Sequence, residues 1–149
     1  MTKQYYEDFE IGDSAESPMG RTITESDVYT QSGLAGSYNP IHTDREYMAD
    51  SDYGARIVQN TLLMTISSGL RRRLPWNPEI IAAYGRDNVR FTNPVFIDDT
   101  VRLEAEILDK QERDADGGVV TIEEQLYKQT DDLVLTGETL LLISRTPEE

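Results

Sequence analysis

The chain has 149 residues, of which 28 are acidic and 14 basic, for a formal charge of −14, with a single histidine and no cysteine. Without cysteine there are no disulfides, thiolate nucleophiles or thiolate metal sites, and one histidine is too few for the usual protein-built zinc centres. So negative a surface repels phosphate backbones, which argues against nucleic acid as a partner, and no apolar run approaches the roughly 20 residues that span a bilayer.

One domain is the expectation at this length. The opening MTKQYYEDFEIGD lacks the apolar core of a secretion signal, which points to the cytoplasm. Lys3, Lys110 and Lys128 are the only lysines. An acid-rich, lysine-poor surface suits solubility in concentrated salt, as in a halophile, and equally suits an ordinary acidic protein.

Taken in chain order, residues 24–34 predict a short helix. Thr24 is a capping residue, and Asp27 lies in the first turn, where the helix dipole favours negative charge. Residues 36–43 predict a loop, because Asn39-Pro40 disfavours helix at Asn39. Arg45 to Met48 predicts a second short helix. The strongest helical pattern runs from Ile57 to Leu74: Val58, Leu62, Ile66 and Leu70 recur at nearly helical spacing, and Leu63 and Leu74 widen the stripe. Pro75 ends it, and Arg71, Arg72 and Arg73 suit the negative end of its dipole. Strands are predicted at Ile80–Tyr84 and Val89–Phe96, then at Val101–Ile107, where apolar residues alternate with Arg102, Glu104 and Glu106. A turn at residues 114–118 precedes a strand through Val120, Ile122 and Leu126, and Thr130-Asp131-Asp132 turns into a last strand over Leu133–Ile143. Residues 146–149 read as a frayed tail. One long helix followed by an antiparallel meander makes the fold class α+β, a curved sheet wrapped on a central helix.

Chemistry concentrates in Leu34-Ala35-Gly36-Ser37-Tyr38-Asn39-Pro40-Ile41-His42. The lone His42 sits just past a proline-stiffened turn, and imidazole exchanges protons near neutral pH, which suits general acid–base work. Residue type alone favours a histidine that only bonds backbone atoms.

The segment resembles the signature of MaoC-like dehydratases and (R)-specific enoyl-CoA hydratases, Gly-Asp-x-Asn-Pro-(aliphatic)-His. Gly36, Asn39, Pro40, Ile41 and His42 match it. The likeness continues in Tyr6–Asp13, in Thr22–Val28, and in Val89–Thr100, which resembles the family's hallmark strand and turn. It implies a hot-dog fold, an antiparallel β-sheet wrapped around one long central helix. It also implies a homodimer or dimer of dimers, and an acyl-CoA or acyl carrier protein thioester as substrate, with coenzyme A entering only as part of that substrate and no further cofactor. The implied reaction is syn addition of water to a trans-2-enoyl thioester, or its reverse, with the thioester oxygen held by a backbone N–H at the start of the long helix.

Two positions depart from the family pattern. Its catalytic Asp falls on Ser37, which is neutral and cannot act as a carboxylate base, although it can orient water. The Gly common at the start of the long helix is replaced by Gln59-Asn60-Thr61, where Asn60 still offers a backbone N–H. Val58–Leu62 resembles the branch acting on short branched dicarboxylic esters such as mesaconyl- or itaconyl-CoA. The catalytic candidates are therefore His42, Ser37 and Asn39, the substrate-binding candidates Asn60, Gln59, Tyr38 and Arg86, and no metal site is expected. Arg71, Arg72, Arg73 and Arg86 are candidates for coenzyme A phosphates or for a solvated helix end. Arg90 reads as structural and Asp98-Asp99 as a turn. The alternatives are a non-catalytic acyl-thioester-binding protein and an acyl-CoA thioesterase. The latter usually carries a carboxylate on or beside the central helix, and Ile57–Leu74 has none.

Overall fold

The structure, a computed structural model, describes residues 1–148. After a 3₁₀ turn at Tyr6–Asp8 come β1 (Ser14–Glu16), β2 (Arg21–Thr22), α1 (Glu25–Ala35), α2 (Pro40–Thr43), α3 (Arg45–Ala49) and α4 (Asn60–Arg71). Four long strands follow: β3 (Ile80–Phe91), β4 (Thr100–Glu112), β5 (Gly117–Lys128) and β6 (Leu133–Ser144). They form one antiparallel sheet in the order β1-β4-β5-β6-β3, with β2 also pairing β4. The α+β reading holds, and α4 lying across one face of this sheet is the hot-dog arrangement.

Periodicity explains the packing. Leu62, Leu63, Ile66 and Leu70 of α4 are buried on one stripe. They meet Val101, Leu103 and Ile107 of β4, Ile122 and Leu126 of β5, and Leu135, Leu141 and Ile143 of β6 in one core. Each such side chain contributes about 1.5–3 kcal/mol on leaving water. One member of the sheet's inner face is charged: Glu124 is only 1% exposed. Its carboxylate accepts from Ser67 Oγ at 2.8 Å and pairs with the Arg71 guanidinium, and Arg86 Nη1 stands 3.9 Å away. A buried ion without partners would be strongly destabilising, so Ser67 interrupts the apolar stripe of α4 and two arginines turn inward.

The structure corrects four boundaries. The helix predicted over 57–74 is α4, Asn60–Arg71: the N–H groups of Ile57 and Val58 go instead to Ile41 O and Val95 O, at 3.0 and 2.7 Å. The loop predicted over 36–43 contains α2, because Asn39 stands just outside the helix as its cap while Pro40 occupies the first helical position, where its missing N–H costs nothing. The two strands predicted at 80–84 and 89–96 are one strand, β3, kept in pairing with β6 by bulges, the last between Asp87 and Arg90. Beyond Phe91 the chain leaves the sheet at Asn93-Pro94, since proline cannot donate to a ladder, and Phe96 bridges to Ile57.

The fourth correction concerns Thr146, the first residue of the expected frayed tail, of which Glu149 lies outside the described residues. Thr146 is tied down: its N–H and Oγ1 both donate to Glu7 at 3.0 Å, and Arg145 Nη1 donates to the same carboxylate at 3.0 Å. These bonds, the Thr146 N–H first, lower the Glu7 pKa from 4.5 to about 2. A depressed folded-state pKa means stabilisation that is complete above about pH 4.5 and is lost as pH falls toward 2. We expect Glu7→Gln to lower Tm at pH 7, by at most about 4 °C because the group is partly exposed. Thermal melts across pH should show the gap to the parent narrowing below pH 4.5. A constant gap would show that the carboxylate charge plays no part.

Candidate active site

The site begins where α1 stops. Gly36 takes φ 68°, and the N–H groups of Gly36 and Ser37 both return to the Ser32 carbonyl. Nothing crowds the position where a Gly36 β-carbon would stand, so glycine serves the left-handed backbone and not the space. Three residues later Asn39 Oδ1 accepts from the Ile41 N–H at 3.2 Å and caps α2. Thr43 Oγ1 donates back to the carbonyls of Tyr38 and Asn39, and Tyr29 OH donates to the Thr43 carbonyl. Asp44 caps α3 by accepting from the Tyr47 N–H at 2.9 Å, so this nearby carboxylate is already engaged.

These bonds present His42, which is half-buried. Its Nδ1 lies 2.6 Å from the Ile57 carbonyl oxygen. A carbonyl only accepts, so Nδ1 carries the hydrogen, and in the neutral ring Nε2 keeps its lone pair. Ile57 is held in turn by its own N–H to the Ile41 carbonyl, which closes a reciprocal pair between α2 and the segment entering α4.

A cleft of about 430 Å³ opens here, lined by Gln31, Ser32 and Ala35 of α1, by Ser37, Ile41 and His42, and by residues 57–61. Its floor is the start of α4. Gln59 stands at the cap position but makes no side-chain cap. Among the described residues the N–H groups of Asn60 and Thr61 have no intrahelical or capping partner, and they carry the positive end of the helix dipole. The cleft thus joins a ring nitrogen able to take a proton with amide donors able to hold developing negative charge.

Of the predicted site residues, His42, Ser37, Gln59 and Asn60 share this cleft. Asn39 is absent from its lining and acts on it through the α2 cap. Tyr38 is 61% exposed and also outside the lining. Arg86 is elsewhere: it donates to Ser68 Oγ at 2.8 Å and faces buried Glu124, whose charge draws it beneath α4. Arg71 is likewise spent on Glu124, while Arg72 and Arg73 are exposed at the opposite end of α4 from the cleft. Sequence reasoning missed Gln31 and Ser32. The signal was present in α1, where Ser32 is fully buried and Gln31 Nε2 donates to Thr61 Oγ1 at 3.1 Å, polar residues on the face turned to another helix.

The family model of the MaoC like domain matches residues 8–128. The chain belongs to this family. Protein MaoC of Klebsiella aerogenes is 35% identical over 101 residues, which is 68% of this chain and 30% of that protein. An (R)-specific enoyl-CoA hydratase of Rhodospirillum rubrum is 38% identical over 98 residues, 65% of each protein. The matched region therefore spans less than two thirds of either relative. Among solved structures, the monoamine oxidase regulatory protein from Archaeoglobus fulgius superposes with a TM-score of 0.90 at 36% identity, covering 98% of both chains.

Because Asn39 caps α2, Asn39→Ala should cost about 1 kcal/mol and loosen the MaoC-like histidine turn, whereas Asn39→Asp keeps a capping oxygen. His42 is the only histidine, so its rate of modification by diethyl pyrocarbonate reports on this turn alone. We expect faster modification and a lower Tm in Asn39→Ala than in the parent or Asn39→Asp. Equal rates in all three would show that the cap does not hold His42.

Proposed function

We propose that the protein hydrates a trans-2-enoyl thioester, or dehydrates the corresponding (3R)-hydroxyacyl thioester, with His42 as the proton-transfer group. The observation that carries this reading is the pairing, in one cleft, of a His42 ring fixed through Nδ1 with the uncapped N–H groups of α4. The hydratase name of the Rhodospirillum relative supports it. In the forward direction Nε2 removes a proton from water as the water oxygen bonds to C3. The C2=C3 electrons move toward the thioester oxygen, where the Asn60 N–H stabilises them. Nε2 then returns the proton to C2 on the same face. Ser37 orients the water, and Asn39 holds the turn. The coenzyme A or acyl carrier protein belongs to the substrate, and the chemistry requires no other cofactor.

The lining of the cleft includes no lysine or arginine. A substrate carboxylate would find no counter-charge among these residues, so a short neutral acyl group fits better than a branched dicarboxylic one. We further propose a homodimer joined along β3. Among the described residues this strand pairs only with β6, and it leaves Ile80, Ile81, Tyr84 and Phe91 exposed on a long sheet edge of the kind that proteins normally cover.

The test follows the ultraviolet absorbance of the conjugated thioester on crotonyl-CoA and mesaconyl-CoA. Turnover of crotonyl-CoA is expected, and His42→Ala should lower kcat by about two to four powers of ten with Tm unchanged. Preference for mesaconyl-CoA would favour the dicarboxylic branch. Hydration of neither, with butyryl-CoA still bound, would favour a non-catalytic thioester-binding protein, and an unchanged kcat in His42→Ala would remove His42 from the mechanism.

A further inference from the structure

Contacts that frame the His42 turn come from one side of α1. Glu25 and Tyr29 stand four residues apart, so their side chains leave the helix on the same face. The Tyr29 hydroxyl donates to the carbonyl of Thr43, the residue after His42. The same hydroxyl oxygen accepts from Arg56 Nη1 at 3.4 Å, and the guanidinium lies 6.0 Å from the centre of the Tyr29 ring. Arg56 is the residue before Ile57, whose carbonyl accepts from His42 Nδ1. Its side chain is only 10% exposed, and Nη1 also donates to Glu25 Oε1 at 2.5 Å. That bond raises the Arg56 pKa and lowers the Glu25 pKa, so both partners keep their charge.

These contacts close a ring. It runs from His42 along the chain to Thr43, across the Tyr29 hydroxyl to Arg56, along the chain to Ile57, and back from the Ile57 carbonyl to Nδ1. The Nδ1 bond fixes the imidazole to a carbonyl but does not fix the carbonyl itself, and α2 is a single turn that cannot hold its own place. α1 supplies the brace. It is tied to the start of α4 as well, because Gln59 Nε2 donates to the Val28 carbonyl at 2.9 Å and to Ser32 Oγ at 3.0 Å.

We propose that Tyr29 and Arg56 are positioning residues of the reaction, which set where the His42 ring stands relative to the first N–H groups of α4. This inference rests on the hydratase reading above and adds to it two residues that do not line the cleft. The reaction needs Nε2 and the amide donors at a fixed spacing, one at the water that meets C3 and the other at the thioester oxygen. A displacement of about 1 Å in such a pair costs up to about a hundredfold in rate. Without the Tyr29 hydroxyl, Thr43 and α2 are free to shift. Without the guanidinium, Tyr29 and the approach to Ile57 are. Tyr29 is exposed, so water replaces its hydroxyl at the Thr43 carbonyl and the fold loses little.

The experiment uses the parent, Tyr29→Phe, Arg56→Met and Arg56→Lys. It measures kcat and KM on crotonyl-CoA, the dissociation constant of butyryl-CoA, and the nitrogen-15 shifts of the single histidine ring. Tyr29→Phe removes one hydroxyl and keeps the aromatic ring. We expect it to lower kcat about ten- to a hundredfold, with KM, butyryl-CoA binding and Tm little changed. Arg56→Met should lose as much, and Arg56→Lys, which keeps a charged donor toward Glu25 and Tyr29, should recover part of the loss. In Tyr29→Phe and Arg56→Met the neutral ring should become a mixture of tautomers, its two nitrogen shifts drawn together, because Nδ1 no longer meets a fixed carbonyl. An unchanged kcat in Tyr29→Phe overturns the proposal. So does a loss carried by KM with a matching loss of butyryl-CoA binding, which assigns the pair to substrate binding. A lower kcat with unmoved ring nitrogens also overturns it, since the effect then bypasses His42. Should Arg56→Met fail to fold, Tyr29→Phe with its KM and ring-nitrogen readings decides. An active parent whose variants are unaffected sinks this inference alone, whereas a parent with no hydratase activity overturns the hydratase reading and this inference with it.

Discussion

The hydrogen bond from His42 Nδ1 to the Ile57 carbonyl, at 2.6 Å, joins the two parts of the chain on which the site is built. On one side is α2, a single turn capped by Asn39 and too short to hold its own shape. On the other is the segment entering α4, whose Val58 N–H is fixed to the Val95 carbonyl. The Ile57 N–H answers with a bond to the Ile41 carbonyl, so the two segments are held at both groups of one residue. In the neutral ring the same bond settles which nitrogen carries hydrogen, leaving the lone pair on Nε2. Position and tautomer are thus set by one contact.

The other half of the site, the N-terminus of α4, is held from a distance. Leu62, Leu63, Ile66 and Leu70 bury the helix on the sheet, but apolar packing alone tolerates small sliding and rotation. Glu124, Ser67 and Arg71 add a directional lock two turns along, between the sheet and the helix. Removing one partner of such a buried pair typically costs about 3–5 kcal/mol, because the other charge remains. The helix that presents Asn60 toward the cleft is therefore fixed before its first turn by Ile57 and Val58 and over its last turns by Ser67 and the Arg71–Glu124 ion pair.

Much of this was legible in the sequence, for identifiable reasons. The 3.6-residue stripe of α4 and the alternation of β4 report burial directly, so those elements, and with them the fold class, were readable. The motif from Gly36 to His42 was readable because its residue types are dictated by backbone needs: a left-handed glycine, a capping asparagine, a proline at the first helical position. Boundaries were less readable, because they depend on distant partners. Whether Ile57 and Val58 continue a helix depends on Ile41 and Val95, which no local pattern announces. Arg86 and Arg71 looked like surface cations until Glu124 was seen to be buried in register with Ile122 and Leu126. Gln59 was picked out by its position at the start of the helix, but its anchoring to α1 through Val28 and Ser32 emerges only from the fold.

The central claim is that the neutral His42 ring bears its hydrogen on Nδ1 and leaves Nε2 bare. The chain has one histidine, so its ring nitrogens can be observed without assignment. The decisive measurement is a two-bond nitrogen–proton correlation spectrum of the nitrogen-15-labelled protein, recorded above the pH at which the ring becomes neutral. This account predicts an Nδ1 shift typical of a protonated ring nitrogen and an Nε2 shift typical of a bare one. The opposite pattern, hydrogen on Nε2 and none on Nδ1, would contradict it.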